Sequence, residues 1–438
     1  MTRNRGNHIR NALTSLISPQ LIRRRARDLG VVKRQRKVDV VALVYTLVLG
    51  FDRGAKRSLA SLRRTYASCS GVTLAPSAFY DRFTPQLAEL MKQLTVCAFD
   101  RLRHSSSRLK RTLAAFTKVF LADGSVIRLH PDLEDHYPSV WTNHMKASAK
   151  LHVVMDGATR TPEILRIVPG SSHDVTLMSA GPWCRGTLFI FDLAYYQGKL
   201  FHQIIDHGGH FLCRAKSDAN FVILSANDAR WVGRKHKEIL SKAKGKSFDV
   251  EVDYSYRHIP ERDWTFRHLR LRLIAVWRPD LKRHRLYLTN ASTSQLDAQT
   301  APAVYALRWE IELLFRELKS QLRIEDMPSG NKAATECLLY SALLALAMGR
   351  HLHRVLNAPS RGNTSTTRRR PMERWTTLLR TVAPLLLELL LGPSGRRVPI
   401  ERRLAAVLTR EAPDPNRRRL LLLDRAQAGV LQVDLAAA

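Results

Sequence analysis

The segment Tyr305–Ser320, YALRWEIELLFRELKS, carries Tyr305, Arg308, Glu312, Phe315 and Lys319 at intervals of three, four, three and four residues. That spacing predicts one face of a helix running from about Val304 to Leu322. Leu307, Ile311, Leu314 and Leu318 form a second, apolar face suited to packing against a sheet. A carboxylate on a helix anchored in this way is held rigidly, as a metal ligand must be. The plainer reading is an ordinary surface ion pair, because Glu312 lies four residues after Arg308. Such a pair contributes only ~0.2–0.5 kcal/mol. Glu310 and Glu317 are competing acids, but they fall between the two faces.

Two aspartates complete the chemistry. Asp123 follows the strand-like run VFLA and precedes Gly124, and Asp192 ends the run TLFIF. Ligands gather near strand ends in sheets covered by helices. Carboxylates brought close repel one another unless a divalent cation lies between them, and two such ions can activate an attacking oxygen and stabilise a leaving one. A magnesium site, in which Mn²⁺ would substitute, uses such oxygens, and Asp123, Asp192 and Glu312 are the candidate ligands. Asp156 and Asp174 are rivals. A turn through Asp156–Gly157 explains the first, and the second sits in the polar loop SSHD. His152, His173 and His210 lack zinc spacing and read as structural. The cysteines Cys69, Cys97, Cys184, Cys213 and Cys337 are scattered without a CxxC pair, which argues against a zinc finger.

The elements that must hold these acids are legible as a change of texture. Residues 1–100 read as basic and helical, with eight Arg or Lys against one Asp in Ile22–Lys37. From Lys118 come short apolar runs: Lys118–Leu129, Lys150–Asp156, Glu163–Gly170 and Thr187–Asp192. A strand meander, a helix and then a strand ending in Asp is the order of a ribonuclease H-like α/β core. Further strands are expected at His210–Arg214, Phe248–Tyr254, Leu269–Val276 and Arg285–Thr289, as an inserted β-rich subdomain. Helices are expected at Lys332–Val355 and Arg374–Leu391, with a loop at Pro359–Pro371. The expected division is a basic helical DNA-binding domain at 1–110 and a first core segment at 111–200. The insertion follows at 201–298, a second core segment at 299–358, and a C-terminal region at 359–438 with a candidate dimer interface.

The chain holds 71 Lys and Arg against 38 Asp and Glu, a formal charge of +33 in 438 residues. A surplus of this size points to nucleic acid, whose condensed counterions a basic protein releases. No sustained apolar signal segment is evident at the N-terminus, and Pro384–Leu391 is too short to span a bilayer. A cytoplasmic setting is the expectation.

These residues carry a family resemblance. The sequence resembles the cut-and-paste insertion-sequence transposases whose catalytic acids are Asp, Asp and Glu. It is most similar to the subgroup with a Tyr-x2-Arg-x3-Glu-x6-Lys signature, matched here by Tyr305, Arg308, Glu312 and Lys319. The motifs ADGS (Ala122–Ser125) and IFDLAYY (Ile190–Tyr196) resemble the first and second acid motifs. Gly170–Asp174, Phe211–Phe221 and Thr289–Ser292 are similar to family segments too. A glycine before the tyrosine is commoner where Leu193–Ala194 stand.

The resemblance implies metal-dependent hydrolysis at the ends of an insertion sequence, then transfer of the freed 3′-hydroxyls into target DNA, with a hairpin intermediate left open. It implies that Tyr305, Arg308 and Lys319 bind DNA phosphates. It also implies a tryptophan that stacks on a flipped base, for which Trp264 and Trp277 are candidates, with Trp309 a further DNA-facing ring. Core packing is the plain alternative for all three. The partners implied are double-stranded DNA with terminal inverted repeats and a second copy of the chain. Alternatives are a related nuclease without strand transfer and a domesticated DNA-binding protein.

Overall fold

The computed structural model describes residues 8–32, 38–50, 58–103, 109–140, 145–216, 218–258, 265–325, 329–357, 371–415 and 422–428. The described residues open with α1 (His8–Leu16), α2 (Pro19–Asp28), α3 (Val40–Leu49), α4 (Leu59–Ser70), α5 (Pro76–Tyr80) and α6 (Pro85–Arg103). All ten residues of α3 are buried. Its helical start is fixed by Asp39, whose carboxylate accepts from the Val41 N–H at 2.8 Å, an ordinary N-cap.

The sheet follows: β1 (Val119–Arg128), β2 (Ser148–Asp156), β3 (Pro162–Pro169), the one-turn helix α7 (Asp174–Leu177), β4 (Leu188–Phe191), α8 (Gly198–Asp206) and β5 (His210–Arg214). Then come β6 (Phe221–Ser225), α9 (His236–Lys242), β7 (Phe248–His258), β8 (Thr265–Arg278) and β9 (Arg283–Thr289). The strands form one nine-stranded sheet in the order β3-β2-β1-β4-β5-β9-β8-β7-β6. β1, β2 and β3 are antiparallel neighbours, whereas β4 runs parallel to both β1 and β5. The strands expected between residues 210 and 289 therefore extend the central sheet through the β5–β9 pairing. Asn290 stitches that seam. Its side chain accepts from the Phe211 N–H and donates to the Gly209 carbonyl, each at 2.9 Å.

Alternation along the strands builds two cores. Val119, Leu121, Leu188 and Ile190 face a helical layer, while Phe120, Ala122, Phe189 and Phe191 face the opposite side. β4 is buried on both faces, so its sequence is apolar without alternation. The helical layer contains α3, α6 and the later helices α10 (Ala301–Tyr305), α11 (Trp309–Arg316), α12 (Lys332–Asn357) and α13 (Met372–Leu391). α12 is long and apolar enough to cross a membrane, but its apolar window is 83% buried inside the protein, which marks a core helix. α14 (Arg397–Glu411) and α15 (Leu422–Ala428) close the described chain. The loop expected at Pro359–Pro371 lies outside the described residues except for Pro371.

Two sequence expectations change. Asp123 lies inside β1, opposite Val153 of β2, because pairing continues through Asp123–Gly124 to Arg128. The helix over 304–322 is not regular. A 3₁₀ turn at Ala306–Arg308 separates α10 from α11, and a π turn occupies Glu317–Gln321. Phe315, placed on the polar face by strict periodicity, is buried in the helical core.

The leucine-rich face of α13 is covered by this chain itself. Trp375 is fully buried, and its Nε1–H donates to the Gly349 carbonyl of α12 at 2.9 Å. Replacing Trp375 with Ala should cost about 3–5 kcal/mol. A urea unfolding midpoint unchanged from the parent protein would contradict this packing.

Candidate active site

The parallel register of β1 and β4 runs from Val119 opposite Leu188 to Ala122 opposite Phe191. One step further, Asp123 and Asp192 become neighbours, on strands spaced about 4.8 Å apart. Both fall on the helix-facing side, in phase with Leu121 and Ile190. Each aspartate uses one oxygen in the same way. Asp123 Oδ1 accepts from the Gly124 N–H at 2.8 Å, and Asp192 Oδ1 accepts from the Leu193 N–H at 2.7 Å.

α11 packs against β1 through the apolar face that includes Ile311 and Leu314. This brings Arg308 and Glu312 over the aspartates. Arg308 Nη1 donates to Glu312 Oε1 at 2.8 Å and lies 3.5 Å from Asp123 Oδ2. The Asp123 and Arg308 side chains are largely enclosed, whereas Glu312 is 39% exposed and accessible to a ligand. Tyr305 is buried one helical turn earlier, and its hydroxyl has no hydrogen-bond partner among the described residues. Lys319, in the π turn, donates to the Val126 carbonyl of β1 at 3.0 Å and pairs with Glu325 at 2.8 Å.

The electrostatics agree with this convergence. Burial pushes the Asp123 carboxyl up to about 7; the Glu312 and Asp192 charges act in the same direction, while the Gly124 N–H and Arg308 oppose them. Asp123 is thus poorly solvated, beside two further acids and one guanidinium. Carboxylate oxygens of this kind suit a hard divalent cation. Among the described residues, no three His, Cys, Asp or Glu side chains already form a metal cage. Arg308 occupies the bridging position between Asp123 and Glu312 instead.

The competing acids have other partners. Glu310 is buried against Arg160 at 2.9 Å. Glu317 is buried against Arg350 and Thr376. Asp156 accepts from the Ala158 and Thr159 N–H groups in the turn after β2. Asp174 pairs with Lys150 at 3.0 Å on the opposite face of the sheet.

That reverse face holds residues whose position relative to the acids was not evident from sequence. Lys150 also donates to the Ser172 carbonyl at 2.6 Å, tying the loop before α7 down onto β1 and β2. Asp174 lies directly behind Gly124, where an added Cβ would stand 2.2 Å from its Oδ1. α7 also packs against the turn Leu193–Tyr195 that follows Asp192. His152 is fully buried near Tyr195, and burial lowers its pKa to about 4, so the ring is neutral. The available signal was the pair Lys150 and His152 alternating with Leu151 and Val153.

Of the three candidate tryptophans, Trp277 and Trp309 lie among the described residues. Trp277 lies in β8 with its ring edge-on to His284, and its backbone N–H donates to the Ser247 hydroxyl. Trp309 opens α11, with the Arg316 guanidinium 5.9 Å from its ring centre. Trp264 lies outside the described residues. His173 precedes α7, and His210, in β5, contacts Gln295 at 3.2 Å.

Residues 114–348, which include all three acids, match the transposase DDE domain family. The transposase for insertion sequence element IS231F of Bacillus thuringiensis subsp. israelensis is 21% identical over 374 residues, covering 76% of this chain and 77% of that protein. The transposase for insertion sequence element IS1151 of Clostridium perfringens is 21% identical over 355 residues, covering 72% and 74%. The putative transposase y4zB of Sinorhizobium fredii is 28% identical over 199 residues, covering 45% and 52%. The chain belongs to the DDE transposase family. It is a DNA transposase, an enzyme of DNA cleavage and strand transfer, in a family that works with divalent metal ions.

Two outcomes follow from the geometry. The ordinary Asp123 value of 3.8 is raised to about 7 in the fold. Its contribution to stability is therefore fully present below pH 3.8 and lost as pH rises through 7. In metal-free buffer at pH 8, Asp123→Asn should melt above the parent protein, by up to about 4 kcal/mol of stability. The difference should vanish near pH 4, and a lower melting temperature at pH 8 would contradict the assignment. Gly124→Ala should lower both melting temperature and DNA cleavage, because Lys150 holds Asp174 against the new methyl; unchanged cleavage would show that the loop yields.

Proposed function

We propose that Asp123, Asp192 and Glu312 are the catalytic acids of this transposase and hold its divalent metal, Mg²⁺ or Mn²⁺. The observation that carries the proposal is the β1–β4 register, which makes Asp123 and Asp192 neighbours beneath the Arg308–Glu312 pair. Each aspartate keeps one oxygen that its neighbouring N–H does not engage. Glu312 would give up its Arg308 partner to hold the ion. When bound, the ion lowers the cost of activating the attacking oxygen and of charge on the leaving oxygen.

The reaction is hydrolysis at the element's end. A water oxygen joins phosphorus, the bond to O3′ breaks, and a 3′-hydroxyl is released. That hydroxyl then attacks a phosphodiester of the opposite strand or of target DNA, displacing another 3′ oxygen. Arg308, Lys319 and the Tyr305 hydroxyl bind the phosphates beside the cut, as charge-assisted and neutral donors. Positioning the phosphate for in-line attack is their contribution to rate.

The strand order β3-β2-β1-β4-β5, with the first three antiparallel and the next two parallel, supports a ribonuclease H-like reading of the core. β6 to β9 then correspond to the inserted β-rich segment. The surplus of basic charge supports double-stranded DNA as the partner, including terminal inverted repeats gripped by the N-terminal helices. Because two ends must be cut and joined together, the DNA-bound form is a homodimer. Trp264, Trp277 and Trp309 are the candidate base-stacking rings, and the working compartment is the cytoplasm.

The test uses a supercoiled plasmid carrying the flanking ends of this reading frame, with Mg²⁺. Asp123→Asn, Asp192→Asn and Glu312→Gln should each lower strand cleavage by roughly 10³-fold or more while DNA affinity changes only a few-fold. Cleavage at parental rates by any one of them would remove that residue from the site.

A further inference from the structure

Glu317 has no place in the catalytic chemistry, yet it is among the most enclosed acids of the chain. Its side chain is 6% exposed and pairs with the equally enclosed Arg350 of α12. Its second oxygen accepts from the Thr376 hydroxyl of α13. Burying two charges is costly, and an apolar replacement of such a pair often leaves stability unchanged or improved. Stability alone is therefore a poor account of this contact.

Its location suggests a different role. Glu317 is the first residue of the π turn Glu317–Gln321, and its carbonyl accepts from the Leu322 N–H five residues on, at 3.1 Å. A π turn accommodates an extra residue, so side chains at and after it leave the phase of a regular helix by up to about 100°. Lys319 lies inside this turn. Its Nζ is held at the Val126 carbonyl, three residues beyond Asp123 on β1. Both α12 and α13 pack directly against the turn. The two side-chain contacts thus tie the turn that carries Lys319 to two core helices.

We propose that Glu317, Arg350 and Thr376 are positioning residues, which hold the π turn so that the Lys319 ammonium meets a DNA phosphate beside Asp123. The inference rests on the reading of Lys319 as a phosphate ligand. It gives α13, in the C-terminal region, a part in the reaction through Thr376, without contact with DNA.

The experiment uses the full-length protein and a duplex from the DNA flanking this reading frame, carrying the element's end. Glu317→Gln combined with Arg350→Met removes both charges together and leaves neither buried alone. The measurements are melting temperature, cleavage rate in Mg²⁺, and the slope of log affinity against log salt concentration. Lys319→Ala should reduce that slope by about 1, the value for one lost phosphate contact. The paired variant should lose the same slope and the same fraction of cleavage while melting near the parent temperature. Added to Lys319→Ala, the pair should cause no further loss, as expected when one group acts through another. A folded paired variant with parental slope and rate would overturn the proposal, as would losses that multiply with those of Lys319→Ala. If Lys319→Ala itself changes neither slope nor rate, the phosphate role of Lys319 fails first and the inference falls with it. Thr376→Val, which removes one neutral donor, is judged by the same outcomes should the paired variant not fold.

Discussion

The site depends on one backbone constraint, the parallel hydrogen-bonded register of β1 and β4. Ala122 is paired with Phe191, so the next residue of each strand, Asp123 and Asp192, is brought to the same level on the same face. Two acids so placed in a half-buried site repel, and the chain offsets part of that repulsion with the single Arg308 guanidinium. Burial nevertheless leaves Asp123 with a strongly raised affinity for a proton. The same features that make this arrangement costly for the isolated fold suit it to a cation. Functional sites commonly break the local rules that the rest of a fold obeys.

Rigid support comes from both sides of the sheet. On the helical face, α11 is anchored by Ile311 and Leu314 in a core shared with α3, α6, α12 and α13. On the reverse face, the Lys150–Asp174 pair secures a loop directly behind Gly124, and α7 braces the turn after Asp192. Acids placed on braced strands and an anchored helix keep their geometry better than acids on loops.

Much of this was legible in the sequence, and the misses have physical causes. Glu312 stood out because its helix combines a polar and an apolar face, a local signal. Asp192 stood out because β4 is a short apolar run that ends in an acid. Asp123–Gly124 resembles a turn, so it suggested a strand end. Only the pairing of both residues with β2 keeps the strand extended there. The 3₁₀ and π turns around α11 escaped because periodicity assumes a uniform helix, whereas the packing of Glu317 against α12 and α13 is set by residues far along the chain. Lys150 and His152 alternate with Leu151 and Val153 along a strand-like run, and His152 reads as a structural histidine. Lys150 and His152 are buried because a distant loop covers them, which strand alternation does not encode.

The central claim is that Asp123 and Asp192 share one divalent cation. Anomalous scattering at the manganese absorption edge, from crystals of the protein bound to an element end in Mn²⁺, addresses it directly. The account predicts a peak about 2.1 Å from a carboxylate oxygen of each aspartate, with Arg308 withdrawn from Glu312. A peak against Asp174 or Asp156 instead, with Asp123 and Asp192 free of metal, would contradict it.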